Sequence, residues 1–396
     1  MLINVKKNIL LPNFLNKMTK HITIKEVTTQ KEFNAFFEFP YILFKNDEYW
    51  VPQILNEEKS TFNPKKNPAF EFCKAKMFLA YKEHSIVGRV AAIINPKVNE
   101  TWSQKRIRFG WLDFIEEIEV AQKLLQAVED WGREENLTEI VGPQGFCNMD
   151  RAGMVVQGFH VETPGTCYYN PEYYPKFLEK LGFQKEVDTI QYELPGDQPV
   201  PEKVLKINNL IKQKYKLKVV EGISKKELKK RYGVKFFQTL NKSYTGLFGF
   251  VPLTEKQIHY YLKQYFPFLK LKMICFVIDE NDEIVGFGIS LPSLSQALKK
   301  CKGKLFPFGW FHLLRALRNY KKIDLLLTGV TPEWQNKGVH SIYHANMNKN
   351  YLDLGVKIAV TNPQLESNDA HRIWLKYNSR LLIRRRIFLK EISRSH

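Results

Sequence analysis

The chain has 396 residues, 44% of them hydrophobic and 26% charged, as expected for a globular protein of two domains. Its 60 Lys and Arg against 41 Asp and Glu give a net charge of +19, which favours anionic partners, but the basic residues are spread along the chain and predict no nucleic-acid-binding arm. Five widely spaced cysteines argue against a disulfide framework and a zinc site, so no metal is expected.

The N-terminal segment, residues 1–18, is predicted to be an extension in front of the folded part. Pro12, Asn13 and Asn16 interrupt its apolar stretch, which argues against a signal peptide, and Met18 is an alternative start. No apolar run in the sequence reaches the length of a membrane span. We therefore expect a cytoplasmic protein.

The first half, residues 19–196, is predicted to contain an aromatic-rich helix, a hairpin and a long amphipathic helix among its strands. In the long helix, apolar residues recur at the spacing of one helix face. The predicted elements are a strand at 21–27, a helix with Phe33, Phe36 and Phe37, a hairpin at 76–95, a strand at 106–115, a helix at 119–137, a strand at 138–143, a helix at 173–182 and a strand at 183–194.

The second half, residues 197–396, repeats this order loosely after a Pro-rich linker at 192–204. Each half is predicted to form a mixed α/β sheet with helices on its faces, as a weak internal duplication. The predicted elements are a helical region at 201–240, a hairpin at 271–291, a strand at 323–330, a helix at 338–353, a strand at 357–362, a helix at 368–378 and a strand at 380–392.

The helix predicted from residue 338 has an unusual start. The residues before and at its first turn, Gln335, Asn336, Lys337 and Gly338, include no acidic side chain and no Ser or Thr cap. A helix N-terminus has backbone N–H groups without partners and partial positive charge, so this junction predicts a site for an external anion. The alternative is that Gly338 only shapes a strand-to-helix turn.

The order of elements, together with the sequence GVTPEWQNKGV, resembles the GNAT acyltransferase superfamily. In that superfamily the motif Arg/Gln-x-x-Gly-x-Gly/Ala follows the fourth strand and holds the pyrophosphate of acyl-CoA. The resemblance implies two tandem GNAT-like domains and acyl-CoA as co-substrate. Gln335 and Gly338 match the motif, whereas His340 replaces its last small residue. The residues implied to bind acyl-CoA here are Gln335, Asn336, Lys337, Gly338, Val339 and His340.

A second match lies in the sequence LESNDAHRIWLKYNSR. GNAT proteins often carry an Asn at the start of this helix, and Asn368 is in that place. Many also carry a Tyr seven residues further on, which protonates the departing thiolate, but that position is Leu375. Tyr377 would point about 200° further round a helix, so the general acid either comes from elsewhere or is not required.

The first half resembles the same fold but is degenerate, because it lacks the phosphate loop. Glu116 and Glu117 stand where phosphate would bind, and like charges repel. We therefore expect one acyl-CoA site per chain. This half also has a glycine-rich segment at 142–159, interpreted either as a tight turn or as a site.

A closer resemblance, to the bacterial ceramide synthase-like family of tandem GNAT proteins, extends over nearly the whole chain. It implies transfer of a fatty acyl group from its thioester to the amine of a sphingoid-type lipid. The motifs that carry it are FPYILFKNDEYWVPQI, NPKKNPAFE, GRVAAIIN, GPQGFCNMD, GFVPLTE and LFPFGWFHLL.

Amide formation needs a neutral amine and a group that takes its proton. The candidates for this base are His340, His344, Asp150 and Glu366. Asn148 and Asp150 are the predicted acceptor-binding residues, with Asn148 bonding an acceptor oxygen and Asp150 attracting the ammonium group. The thioester oxygen is expected to be polarised by backbone N–H groups at the end of the strand 323–330, a region that includes Leu327, Thr328 and Val330.

The segment 304–324 combines large apolar residues with Arg315, Arg318, Lys321 and Lys322. It is predicted to contact the inner membrane surface, to line an acyl groove, or to pack as an ordinary helix with a basic rim.

Three functions remain open. The first is an acyl-CoA-dependent N-acyltransferase with a lipid amine as acceptor. The second is an acetyltransferase for a small amine or amino acid, which predicts a short, closed pocket. The third is a non-catalytic binding protein of the same fold, which predicts a blocked phosphate loop.

Overall fold

One mixed sheet runs through both halves of the chain in the computed structural model, which describes residues 21–393. The predicted extension 1–18 lies outside the described residues. The elements of the first half are β1 (Ile22–Glu26), α1 (Gln30–Leu43), α2 (Leu55–Thr61), β2 (Lys74–Lys82), β3 (Ser85–Ile94), α3 (Pro96–Thr101), β4 (Arg106–Phe114), α4 (Ile118–Glu134), β5 (Glu139–Gly142), β6 (Met154–Gln157), α5 (Tyr173–Lys180) and β7 (Gln184–Pro195).

The second half begins with a helical region and ends with a long strand. Its elements are α6 (Glu202–Tyr215), β8 (Lys218–Val219), α7 (Lys225–Tyr244), α8 (Glu255–Tyr265), β9 (Ile274–Ile278), β10 (Ile284–Pro292), α9 (Ser295–Cys301), α10 (Gly309–Ala316), β11 (Lys322–Val330), α11 (Val339–Leu354), β12 (Ile358–Thr361), β13 (Gln364–Leu365) and β14 (Arg380–Glu391).

The two halves exchange their last strands. The strand order is β1-β2-β3-β4-β5-β14-β7-β12-β11-β10-β9-β8, with β13 beside β7 and β6 beside β14. Strand β14, from the end of the chain, therefore lies between β5 and β7 of the first half. Strand β7 in turn pairs with β12 of the second half. Each half depends on the other to complete its sheet.

Helices cover both faces of the sheet, as predicted. The long helix α4 packs its buried face against β3 and β4, and its predicted apolar stripe, including Leu124 and Val128, is buried. In the second half, α11 buries Val339 and Ile342 with β9 and β10. Helix α7 packs against those same strands in a second cluster, with Phe236 and Phe237 buried.

Three local predictions differ from the structure. The helical region 201–240 is two helices separated by the short strand β8. The helix at 368–378 is a 3₁₀-helix, Asp369–Lys376. The predicted linker is shorter, because its first residues, Tyr192–Pro195, are the end of β7.

The glycine-rich segment contains β6, which adds to β14 by pairing with Arg384–Arg386.

Among the helices of residues 21–393, none combines the length and the apolarity that crossing a bilayer requires.

Candidate active site

Strands β11 and β12 separate at their C-terminal ends. Their parallel pairing runs from Lys322 beside Ile358 to Leu325 beside Thr361. Strand β11 continues to Val330 and pairs along its other edge with β10. The pairing of β10 with β11 contains a β-bulge after Leu325. Within the described residues, no strand pairs with the β12-facing edge of β11 beyond Leu325. Backbone donors on this edge are therefore available to a carbonyl oxygen.

The start of α11 lies next to this opening. Gly338 is the N-cap residue in the left-handed region, with φ of 80°, and no side chain caps the helix. The first turn has no acidic residue. Gln335 is exposed and its side-chain amide lies 3.4 Å from the Val330 carbonyl oxygen. The helix end therefore offers positive potential and N–H donors to an anion.

A cavity of about 1360 Å³ opens at the end of β11, and both halves form its wall. The second half contributes β11, the start of α11 and the connection after α7. The first half contributes the glycine-rich segment. Its apolar wall includes Phe236, Phe237, Phe276, Ile289 and Leu291.

Most predicted site residues line this one cavity. They are Asn148 and Asp150 from the first half, and Leu327, Thr328, Val330, Gln335, Asn336, His340 and Asn368 from the second. Lys337, Gly338 and Val339 are not part of the wall. The Lys337 ammonium lies 4.8 Å from the Trp334 ring centre, and Val339 is fully buried in the core.

Asp150 is a half-buried carboxylate at the cavity wall. Its side chain accepts a hydrogen bond of 3.1 Å from the backbone N–H of Cys147, but burial dominates and raises its pKa. Asn148 is exposed, and its amide donates a hydrogen bond of 3.1 Å to the backbone carbonyl of Phe248. This donor of Asn148 therefore joins the two halves instead of pointing freely into the cavity.

The other base candidates differ in their surroundings. His344 is half-buried, and desolvation, with a smaller contribution from His340, lowers its pKa to about 3, which makes it a weak base. His340 is exposed at the cavity wall. Glu366 forms ion pairs with Arg384 and Lys185 and does not line the cavity. The structure thus removes Glu366 from the candidates, because its charge is already paired outside the wall.

In the segment 368–378, where GNAT proteins often carry the tyrosine that acts as general acid, no described tyrosine lines the cavity. Leu375 is 60% exposed, and Tyr377 packs beside Trp374 in a separate apolar cluster. A tyrosine that the sequence analysis missed, Tyr244, lines the cavity instead and donates a hydrogen bond of 3.2 Å to the Thr328 carbonyl oxygen. Burial raises the pKa of Tyr244.

Two other polar groups of the wall were also missed. The Ser243 hydroxyl is buried at the cavity without a hydrogen-bond partner in the described part of the chain. Arg108 of β4 is buried and donates to the Gly145 carbonyl at 3.0 Å, which braces the glycine-rich segment. The sequence gives one indication that Ser243 and Tyr244 line a site: they stand at the end of α7, before a connection that contains glycine.

The equivalent opening in the first half is filled. The backbone N–H of Phe114, at the end of β4, donates to the Tyr174 hydroxyl at 2.7 Å, and the two rings stack with centres 4.0 Å apart. The Phe114 carbonyl accepts from the Tyr173 hydroxyl at 2.7 Å. Glu117 precedes α4 and pairs with Lys82 at 2.7 Å. The first half therefore has neither a free strand end nor an open anion site there.

Comparisons with known proteins agree with this geometry. Bacterial ceramide synthase of Caulobacter vibrioides (strain NA1000 / CB15N) is 26% identical over 321 residues, which cover 79% of this chain and 82% of that protein. Protein YghO of Escherichia coli (strain K12) is 24% identical over 314 residues, 79% of each chain. No family model matches the chain.

Solved structures show the same fold. A tandem GNAT protein from the clavulanic acid biosynthesis pathway superposes with a TM-score of 0.54 at 11% identity, over 95% of this chain and all (100%) of that one. The chain therefore has a tandem GNAT fold. A GCN5-related glucosamine N-acetyltransferase region of a fungal multi-domain β-N-acetylglucosaminidase has a TM-score of 0.55 at 13% identity, covering 94% of this chain and 38% of that one.

The family resemblance and the fold predicted from the sequence are thereby confirmed. Within residues 21–393, no group of three or more His, Cys, Asp and Glu side chains is arranged to hold a metal ion.

Proposed function

We propose that this protein is an N-acyltransferase that uses acyl-CoA and transfers a fatty acyl group to the amine of a sphingoid-type lipid. The observation that carries the proposal is the opening between β11 and β12, which leads from the uncapped start of α11 into a cavity of about 1360 Å³. Pockets for small ligands are usually about 300–1,000 Å³, so the volume favours a larger pair of substrates.

The reaction forms a C–N bond and breaks a C–S bond. The amine nitrogen attacks the thioester carbonyl, the thiolate leaves, and the nitrogen loses a proton. Backbone N–H groups at the free edge of β11, from Leu327 to Val330, would stabilise the oxyanion. The start of α11, with Gln335 and Asn336 at the cavity, would hold the pyrophosphate.

Asp150 is the proton acceptor that this proposal favours. Its carboxylate lies at the cavity wall and burial raises its pKa, which makes it a better base than an ordinary aspartate. Tyr244 is the candidate proton donor to the thiolate, because its hydroxyl lies at the end of β11. The position of the tyrosine common in GNAT proteins is Leu375 in this chain. Thiols have a pKa of about 8.5, so this donor would have a modest effect.

A long acyl chain accounts for the apolar part of the cavity. Palmitoyl has about 14 more methylenes than acetyl, which corresponds to roughly 11 kcal/mol of transfer free energy if all are buried. The aromatic and aliphatic side chains of α7, β9 and β10 line the cavity and would receive such a chain. The short, closed pocket expected for a small-amine acetyltransferase is not found at this site in the described residues. The similarity to bacterial ceramide synthase supports the lipid acceptor.

The test is a comparison of donors and acceptors with purified full-length protein. Acetyl-, octanoyl- and palmitoyl-CoA are each offered with sphinganine and, separately, with ethanolamine or lysine, and the amide products are measured by mass spectrometry. We expect the fastest transfer from palmitoyl-CoA to sphinganine, and loss of the corresponding amide lipids in a deletion strain. Faster transfer of acetyl to the small amines would replace this proposal with the acetyltransferase function.

A further inference from the structure

Five large apolar side chains protrude from one region of the second half. Phe306 is 80% exposed and Phe308 is 73% exposed, and Trp310, Phe311 and Leu314 are each about half exposed. We call these five residues the 306–314 surface. Large apolar side chains grouped on a surface mark an interaction site, whereas single exposed ones do not.

The fold makes this exposure unavoidable. On the core side of α10, Leu313 packs against Val51, Leu298 and Cys301. Leu317, at the C-terminal end of the helix, is also buried. The opposite side of α10 therefore faces outward. None of the five residues of the 306–314 surface lines the cavity, so they form neither an acyl groove nor part of the core.

The segment that carries this surface has charges of a single sign, of which Lys299 is paired with Glu162 at 3.1 Å. The segment 291–323 contains no Asp or Glu, and its basic residues are Lys299, Lys300, Lys302, Lys304, Arg315, Arg318, Lys321 and Lys322. Arg315 follows Phe311 by four residues on α10 and so lies on the same side of the helix, and Arg318 lies just beyond the end of α10. Both arginines are exposed, and neither is in an ion pair with another described residue.

We infer that the 306–314 surface docks the protein on an anionic lipid bilayer. Phe and Trp side chains insert at the boundary between headgroups and acyl chains, while the surrounding Lys and Arg residues contact lipid phosphates. A second copy of this chain would bring two basic surfaces together, and residues 1–20, with four Lys and no acidic residue, would be repelled as well. An anionic bilayer is the occupant whose charge complements the surface.

The test is sedimentation of full-length protein with vesicles of phosphatidylcholine alone or of phosphatidylcholine with phosphatidylglycerol. We expect binding to the anionic vesicles, weakened by salt, because the Debye length falls from roughly 10 Å at 0.1 M to about 3 Å at 1 M. The variant with both Phe306→Ser and Phe308→Ser should lose binding at least about tenfold. Arg315→Gln with Arg318→Gln should abolish the preference for anionic vesicles.

Val234→Ser is the matched control, because it replaces an exposed apolar residue on α7, outside the surface. Its vesicle binding should equal that of the unmodified protein. The inference does not depend on the proposed acyl transfer, since vesicle binding is measured without substrate. Equal binding by the double serine variant, binding that ignores phosphatidylglycerol, or a concentration-dependent dimer that the same serines abolish would each overturn it.

Discussion

Asp150 is the residue whose environment argues most directly for chemistry. A carboxylate at the wall of a cavity, deprived of solvent, holds its proton more tightly than an exposed one. The sequence identified this residue only through its place in a glycine-rich segment. Its burial depends on packing between the two halves, including the bond from Asn148 to Phe248, and no local pattern contains that information.

Asp150→Asn should lower acyl transfer about a hundredfold, because it removes the proton acceptor while keeping the side-chain shape. Burial raises the pKa of Asp150. As the pH is lowered, the activity of the unmodified protein should therefore begin to decline at a higher pH than an ordinary carboxyl group, with a pKa of about 4, would cause. The variant should lack that decline. Full activity of the variant in a steady-state assay, with CoA affinity as the control for folding, would exclude Asp150 as the base.

A second half-buried carboxylate, that of Asp324 on β11, leads to a prediction about stability. Burial raises its pKa from 3.8 to about 6, against smaller opposing contributions from Lys322 and Ser293. When the pKa of a carboxyl group is higher in the folded than in the unfolded protein, its contribution to stability is fully present below the unfolded-state pKa. That contribution is lost as the pH rises through the folded-state pKa.

Asp324→Asn should therefore raise the free energy of unfolding, by roughly 2–3 kcal/mol at about pH 8 and by less at about pH 5. Urea unfolding at the two pH values measures the difference. Asp130→Asn, at a half-exposed carboxylate on α4, is the control and should show no such trend. A gain for Asp324→Asn that is equal at both pH values would contradict the assignment.

The local structure at the junction of β11 and α11 could be predicted from the sequence. An apolar strand, a turn with glycine and an uncapped helix follow one another in the sequence, and each is set by local residue preferences. What the sequence could not give is the space around Gly338. A Cβ added there would lie 2.5 Å from the Ile211 side chain, and φ is 80°, so Gly338→Glu would disturb the turn as well as repel phosphate.

Gln335→Glu is the cleaner test of the phosphate site. Gln335 is exposed and its backbone is extended, so the substitution adds negative charge without strain. We expect CoA affinity to fall about tenfold by calorimetry, with the melting temperature unchanged, because one unit of like charge faces the pyrophosphate. Gln184→Glu, at an exposed position of β7, should leave affinity intact. Equal affinities for both variants would place the pyrophosphate elsewhere.

The corresponding element of the first half should bind no CoA. Tyr174 already occupies the backbone donor of Phe114, and Glu117 with Lys82 stands before α4. Calorimetry should therefore give about one CoA per chain, a number that follows from having one open strand end. Two equivalent sites per chain would contradict this reading of the first half.

At the scale of the whole molecule, the sequence predicted two similar halves but not how they join. The strand signals at 183–194 and 380–392 were read correctly, because alternating and β-branched residues identify a strand wherever it lies. They do not identify its neighbours. The exchange of β7 and β14 is decided by long-range packing, such as Phe388 of β14 lying fully buried in the core of the first half.

Because β7 and β14 are exchanged between the halves, we expect that neither half folds alone. The boundary between the halves, after residue 196, is a prediction from the sequence. Without β14, residues 1–196 would leave β5 and β7 unpaired on the sides that β14 occupies, and would lose Phe388 from their core. Removing one such buried aromatic side chain costs about 3–5 kcal/mol, which approaches the stability of an entire domain. Residues 197–396 would leave β14 without β5, β6 or β7.

Expressed separately, residues 1–196 and 197–396 should each give aggregated or uncooperatively unfolding material, and co-expression should restore one cooperative transition in calorimetry. The matched control is the full chain with a protease site inserted in the 196–201 connection. Cutting it should leave the two fragments associated, because the strands of each fragment remain paired with those of the other. If residues 1–196 unfold cooperatively by themselves, β7 can take the place of β14 beside β5, and the exchange is one of two available pairings.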